Sequence, residues 1–97
     1  MVLRVKVAAR AANQVHSAAA WWASNRQAAP GAIGTDFGEA VALLAEQPGI
    51  GATYEGVRTP GVRRLSRVQY FIYYKVEGDN LHVLAFWHAS REHQPVL

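Results

Sequence analysis

The side chains best suited to moving protons or holding negative charge lie in the second half of the sequence: Arg64, Arg67, Tyr74, His88, Arg91 and His93. Arginine stabilises the charge of a phosphorane-like transition state, while histidine and tyrosine exchange protons. Gathered at one end of a sheet, these groups would permit metal-free cleavage of RNA. The same types also occur on any basic, aromatic sheet, where Tyr74 is a core or sheet-packing residue and His88 an ordinary structural one. His82, His88 and His93 match no common ligand spacing and share their region with no carboxylate on the same strand face, so no metal is expected. His16 lies on the polar side of a helical stretch and reads as simply exposed. Gly49-Ile50-Gly51 leads into more loop rather than a helix, so no phosphate-binding loop and no nucleotide cofactor are expected. Ser17, Ser24, Ser66 and Ser90 have no nucleophile context, and the absence of cysteine excludes thiolate chemistry and disulfides.

Charge placement adds a second theme. Asp36 to Glu55 contains acids and no Lys or Arg, whereas Val57 to Tyr74 contains Arg58, Arg63, Arg64 and Arg67 and no acid. With a net charge of +3, such a split favours an anionic partner, either nucleic acid or an acidic peptide segment. A solvated basic edge strand is the plainer reading.

Elements must position these groups. Val2 to Val7 alternates and is valine-rich, which predicts a short strand. From Ala8 the period changes: Ala8, Ala11, Ala12, Val15, Ala18, Ala19 and Trp22 form a helical stripe that Pro30-Gly31 stops. Ile33, Phe37, Ala40, Val41 and Leu44 mark a second helix, ended by Pro48-Gly49. It starts either at Asp36, where Asp36 and Glu39 have capping-box spacing, or earlier with Pro30 near its first turn. Gly34 and Gly38 would let the alanine-rich helix approach closely, so the two helices are expected as a hairpin.

Gly49 to Gly61 reads as an irregular loop. Three strands follow: Val62 to Arg67, Tyr70 to Val76 and Leu81 to His88, the last two joined by Glu77-Gly78-Asp79-Asn80 as a hairpin. Strict alternation would set Leu81, Val83, Ala85 and Trp87 against His82, Leu84, Phe86 and His88. Both faces of this hairpin are apolar. The helices should cover one face, and the other needs a cover from outside the chain. The tail from Ala89 to Leu97 is short, with Pro95 opposing regular structure.

The fold class expected is α+β: a two-helix antiparallel hairpin on a small, mainly antiparallel sheet in the order β-α-α-β-β-β. At 97 residues a single domain over 1–97 is expected. Hydrophobic residues at 51% exclude a disordered chain, although 17 of them are alanine. No apolar run approaches the roughly 20 residues of a membrane span, and no signal-like stretch opens the chain, so a cytoplasmic protein without a membrane partner is expected.

Ala20-Trp21-Trp22, Phe37 to Pro48, Val62-Arg63-Arg64-Leu65, Tyr70 through Asp79 and Val83 through Arg91 together resemble the ParE/RelE superfamily of bacterial toxins from type II toxin–antitoxin systems, over nearly the whole length. That resemblance implies a cognate ParD-like antitoxin as partner. ParE-like members are known as DNA gyrase inhibitors and RelE-like members as ribosome-dependent mRNA nucleases. Arg64 and His88 are similar to positions used in the nuclease branch, with Tyr74 and Arg91 completing the alternative catalytic set. Tyr70 stands near where nuclease members place an arginine, and the helix-to-sheet loop has no lysine, which departs from that branch. The Tyr70–Asp79 segment and the His-x-x-Arg ending look more like ParE. A non-catalytic gyrase inhibitor is therefore expected, with Arg58, Arg63, Arg64, Arg67, His88 and Arg91 as the residues contacting target or antitoxin. The alternatives are an mRNA endonuclease acting with the ribosome and a basic nucleic-acid-binding adaptor, whose mark would be a steep salt slope.

Overall fold

The computed structural model describes residues 2–25, 29, 31–55, 57–67, 69–89 and 95–97. Strand β1 (Arg4–Val7) leads into helix α1 (Ala9–Asn25) and helix α2 (Ala32–Glu46). A single 3-10 turn at Pro48–Ile50 precedes β2 (Ala52–Thr53), β3 (Arg63–Ser66), β4 (Tyr70–Glu77) and β5 (Asn80–His88). The strands form one sheet in the order β1-β5-β4-β3-β2, parallel only between β1 and β5. This is the expected α+β arrangement with one more strand. Ala52–Thr53 pairs with Arg64 and Arg63 inside the stretch read as irregular, and a two-residue strand leaves no period to detect.

Helix α2 takes the earlier of its two starts. Gly31 is its N-cap, so Asp36 sits inside the helix and does not cap it. The carboxylate is used across the fold instead: Arg67 Nε donates to Asp36 Oδ2 at 3.1 Å, and Arg67 Nη2 pairs with Oδ1. Gly34 and Gly38 also depart from expectation, because a Cβ at either position would meet nothing within 4 Å. They do not bring the helices together. Alanine at Gly34 or Gly38 should therefore raise stability by roughly 0.5–1 kcal/mol each, through helix propensity alone. Urea denaturation measures this, and a loss of stability would show that the space is in use.

The helices cover one sheet face. Ala11, Ile33, Ala40 and Leu44 pack there against Tyr70, Ile72, Tyr74, Leu81, Val83 and Phe86, all buried. The opposite face is not left bare. Val62, Tyr73 and Ala85 are buried under Tyr54 and Val57 from the loop before β3 and Leu97 from the tail. Arg10 Nη1 holds the Val96 carbonyl at 2.6 Å, and Pro95 is buried. The chain thus supplies much of the cover expected from a partner.

One irregularity decides which residues face the helices. Tyr73 is opposite Ala85 and Tyr74 is opposite Val83, so Leu84 is an extra residue in β5. Such a bulge reverses the side-chain phase beyond it. Leu81 and Val83 face the helices before the bulge, and Phe86 does so after it, while Leu84, Ala85 and Trp87 belong to the other face. The strict alternation expected for Leu81–His88 therefore fails at Leu84.

Candidate functional site

The bulge turns Phe86 and His88 toward α1, and an open cleft of about 820 Å³ forms there. Arg10, Asn13, Gln14, Ser17, Ala18 and Trp21 line it from the helix, and Tyr70, Phe86 and His88 line it from the sheet. The helix residues recur at three- and four-residue steps, so one face of α1 forms the wall. Beyond Val83, β5 has outrun β1, and the Phe86 N–H would lack a strand partner. Gln14 Oε1 accepts it at 2.9 Å, which fixes α1 against the sheet edge. Tyr70 stacks on Phe86 at 4.6 Å between centroids and meets His88 edge-on at 5.1 Å. Burial pushes the Tyr70 phenol above its ordinary value, so it keeps its proton at neutral pH. Trp21 at the rim is 54% exposed, unusual for so large an apolar side chain. Among the described residues no acid lines the cleft, whereas Arg10 and His88 do.

Of the acid–base set that the nuclease alternative requires, the described members Arg64, Tyr74 and His88 lie apart. Arg64 pairs with Tyr73 in β3–β4 and lies on the face away from the helices, its guanidinium over the rings of Phe71 at 4.2 Å and Tyr54 at 4.9 Å. His88 lies on the helix side, in the cleft. The body of the sheet separates them. Tyr74 is fully buried; its hydroxyl donates to the Pro48 carbonyl at 2.6 Å and accepts the Gly51 N–H at 3.0 Å. Burial raises its pKa more than the Gly51 hydrogen bond and Arg63 lower it, so it holds its proton as a structural clamp. On the far face, burial likewise raises the Tyr54 phenol, with Tyr73 adding to the effect. Arg91 and His93 lie outside the described residues.

The arginine cluster divides too. Arg63 donates to the Gly51 carbonyl at 2.7 Å, and Arg67 is paired with Asp36, whose hydrogen bond raises the guanidinium pKa further. Both arginines hold the fold. Arg58 is exposed, and Arg64 is half-buried on its aromatic bed. Sequence periodicity does not single out the α1 wall of the cleft, because Arg10, Asn13, Gln14 and Ser17 lie opposite the alanine stripe, with the spacing of the solvent side of an amphipathic helix.

The sequence model of the ParE toxin of the type II toxin–antitoxin system parDE matches residues 5–93. The chain belongs to the ParE toxin family. A solved structure described as a chromosomal ParDE TA system from P. aeruginosa superposes with a TM-score of 0.70 at 22% identity, covering 90% of this chain and 96% of that one. The likeness extends to the two helices on a mainly antiparallel sheet, and so to the ParE fold. No curated protein gives a significant match. Among the described residues of this ParE-family chain, no helix is long and apolar enough to cross a membrane.

Proposed function

We propose that this ParE-family toxin acts without chemistry of its own, by occupying a surface of DNA gyrase in the cytoplasm, and that a ParD-like antitoxin neutralises it by filling the cleft beside α1. The observation carrying this reading is the separation of Arg64, Tyr74 and His88 onto one face, the interior and the other face. General acid–base catalysis needs its groups within hydrogen-bond reach of one reacting centre. The described residues form no such centre, and a small rigid module with anchored aromatic and cationic groups suits a role of covering a partner's surface. Arg58, Arg64 and His88 are the contact residues this reading puts forward; Arg63 and Arg67 are engaged within the fold by the Gly51 carbonyl and the Asp36 carboxylate. The antitoxin segment that fits the cleft carries an apolar anchor for the Tyr70, Phe86 and Trp21 walls and an acid for Arg10.

Induction of the toxin alone in cells separates this reading from the nuclease alternative. The expected result is a DNA-damage response with messenger RNA intact and translation initially continuing. Immediate translation arrest with cleaved messenger RNA, lost in His88→Ala or Arg64→Ala, would overturn it.

A further inference from the structure

Strand β1 ends the sheet and pairs only with β5 among the described residues. The N–H groups of Arg4 and Ala8 donate inward, to Asp79 at 2.8 Å and Val83 at 3.0 Å. Backbone groups alternate in direction along a strand, so those of Val5 and Val7 point to the open edge. All of β1 is exposed, Val5 at 38% and Val7 at 40%. The opposite edge, β2, is only two residues long and offers little to pair with.

The edge carries a pattern. Val5 and Val7 stand beside Leu81 and Val83 on the helix-bearing face, while Arg4 and Lys6 stand beside Asn80 and His82 on the other. Glu77, across from Asn80, is paired with Lys75; Asp79, whose carbonyl takes the Arg4 N–H, and Glu46, next to Ala45, whose carbonyl takes the Leu3 N–H, also lie close along the backbone. None forms an ion pair with Arg4 or Lys6 among the described residues. No acid occurs anywhere before Asp36.

We infer that the outer edge of β1 is a docking edge for an extended segment of a protein partner, alternating apolar and acidic residues, which joins the sheet as an additional strand. Main-chain hydrogen bonds to Val5 and Val7 supply the pairing. The acids set beside Arg4 and Lys6 supply the selectivity, as opposite charges do across strands. A second copy of this chain is the wrong occupant, because antiparallel pairing of two β1 strands sets Arg4 and Lys6 against their own counterparts. Charged edge residues commonly guard against indiscriminate pairing, and here that guard rejects basic strands while admitting acidic ones. The inference goes beyond the cleft and stands even if the cleft binds nothing.

The test uses the full isotopically labelled chain and two synthetic peptides of about eight residues, a typical strand length, one alternating Val and Glu and the other Val and Lys. The Val–Glu peptide is expected to shift and protect the Val5 and Val7 amides and to bind more than about tenfold tighter than the Val–Lys peptide. The exposed double variant Arg4→Glu, Lys6→Glu should reverse that preference. Equal affinity for both peptides, shifts confined to Gln14 and Phe86 in the cleft, or self-association through β1 without peptide would overturn the inference. The first and third outcomes leave the cleft proposal untouched, and the second favours it.

Discussion

Tyr74→Phe should lose about 2–3 kcal/mol of folding stability, although it removes one oxygen atom from a chain that keeps every other contact. That hydroxyl satisfies both the Pro48 carbonyl and the Gly51 N–H. Each buried group left unpaired costs roughly 1–3 kcal/mol. Gly51→Ala should be similarly damaging for a different reason. Its φ of -75° and ψ of 148° suit any residue, so glycine is needed for space and not for conformation. A Cβ there would fall against the Tyr74 hydroxyl and within 2.8 Å of Cε1. Overpacking of this kind costs about 1–3 kcal/mol. Because both changes act on one contact, the double variant should lose less than the two single losses combined, by roughly 1 kcal/mol. Urea denaturation of the four proteins gives the cycle. A Tyr74→Phe protein within about 0.5 kcal/mol of the parent would show that the clamp does not hold the β2 segment.

The cleft yields the second large effect. Asn13 and Ser17 are exposed on its helix wall, so Asn13→Glu with Ser17→Glu should leave the fold intact. Like charges four apart on a helix cost only a few tenths of a kcal/mol. Against an acidic antitoxin segment the two glutamates place like charges in contact, and affinity should fall at least about 100-fold, or about 2.7 kcal/mol. Titration calorimetry with purified antitoxin reads this directly. Unchanged affinity would move the antitoxin elsewhere.

Much of the architecture is legible in the residues themselves. The alanine stripe, the apolar face from Ile33 to Leu44 and the Glu77–Asn80 turn each carry their own local signal. What escapes is set by tertiary partners. The bulge at Leu84 leaves no mark of composition, yet it turns Phe86 and His88 into the cleft and sends Ala85 and Trp87 away. Arg63 and Arg67 look identical to Arg58 in sequence. Only the Gly51 carbonyl and the Asp36 carboxylate, brought close by folding, distinguish structural arginines from a surface one. Asp36 shows the same effect, since its capping-box spacing with Glu39 is real while its partner lies across the fold. The face opposite the helices is covered by Tyr54, Val57 and Leu97, residues from loop and tail whose docking no periodicity announces.

Inhibition without catalysis is measurable with purified toxin, antitoxin and gyrase. Gyrase supercoiling of relaxed plasmid, measured with increasing toxin, should fall with saturable dependence on toxin concentration or give accumulated cleaved DNA. ParD-like antitoxin added in equal amount should restore activity. Supercoiling untouched at large molar excess of folded toxin would contradict the claim.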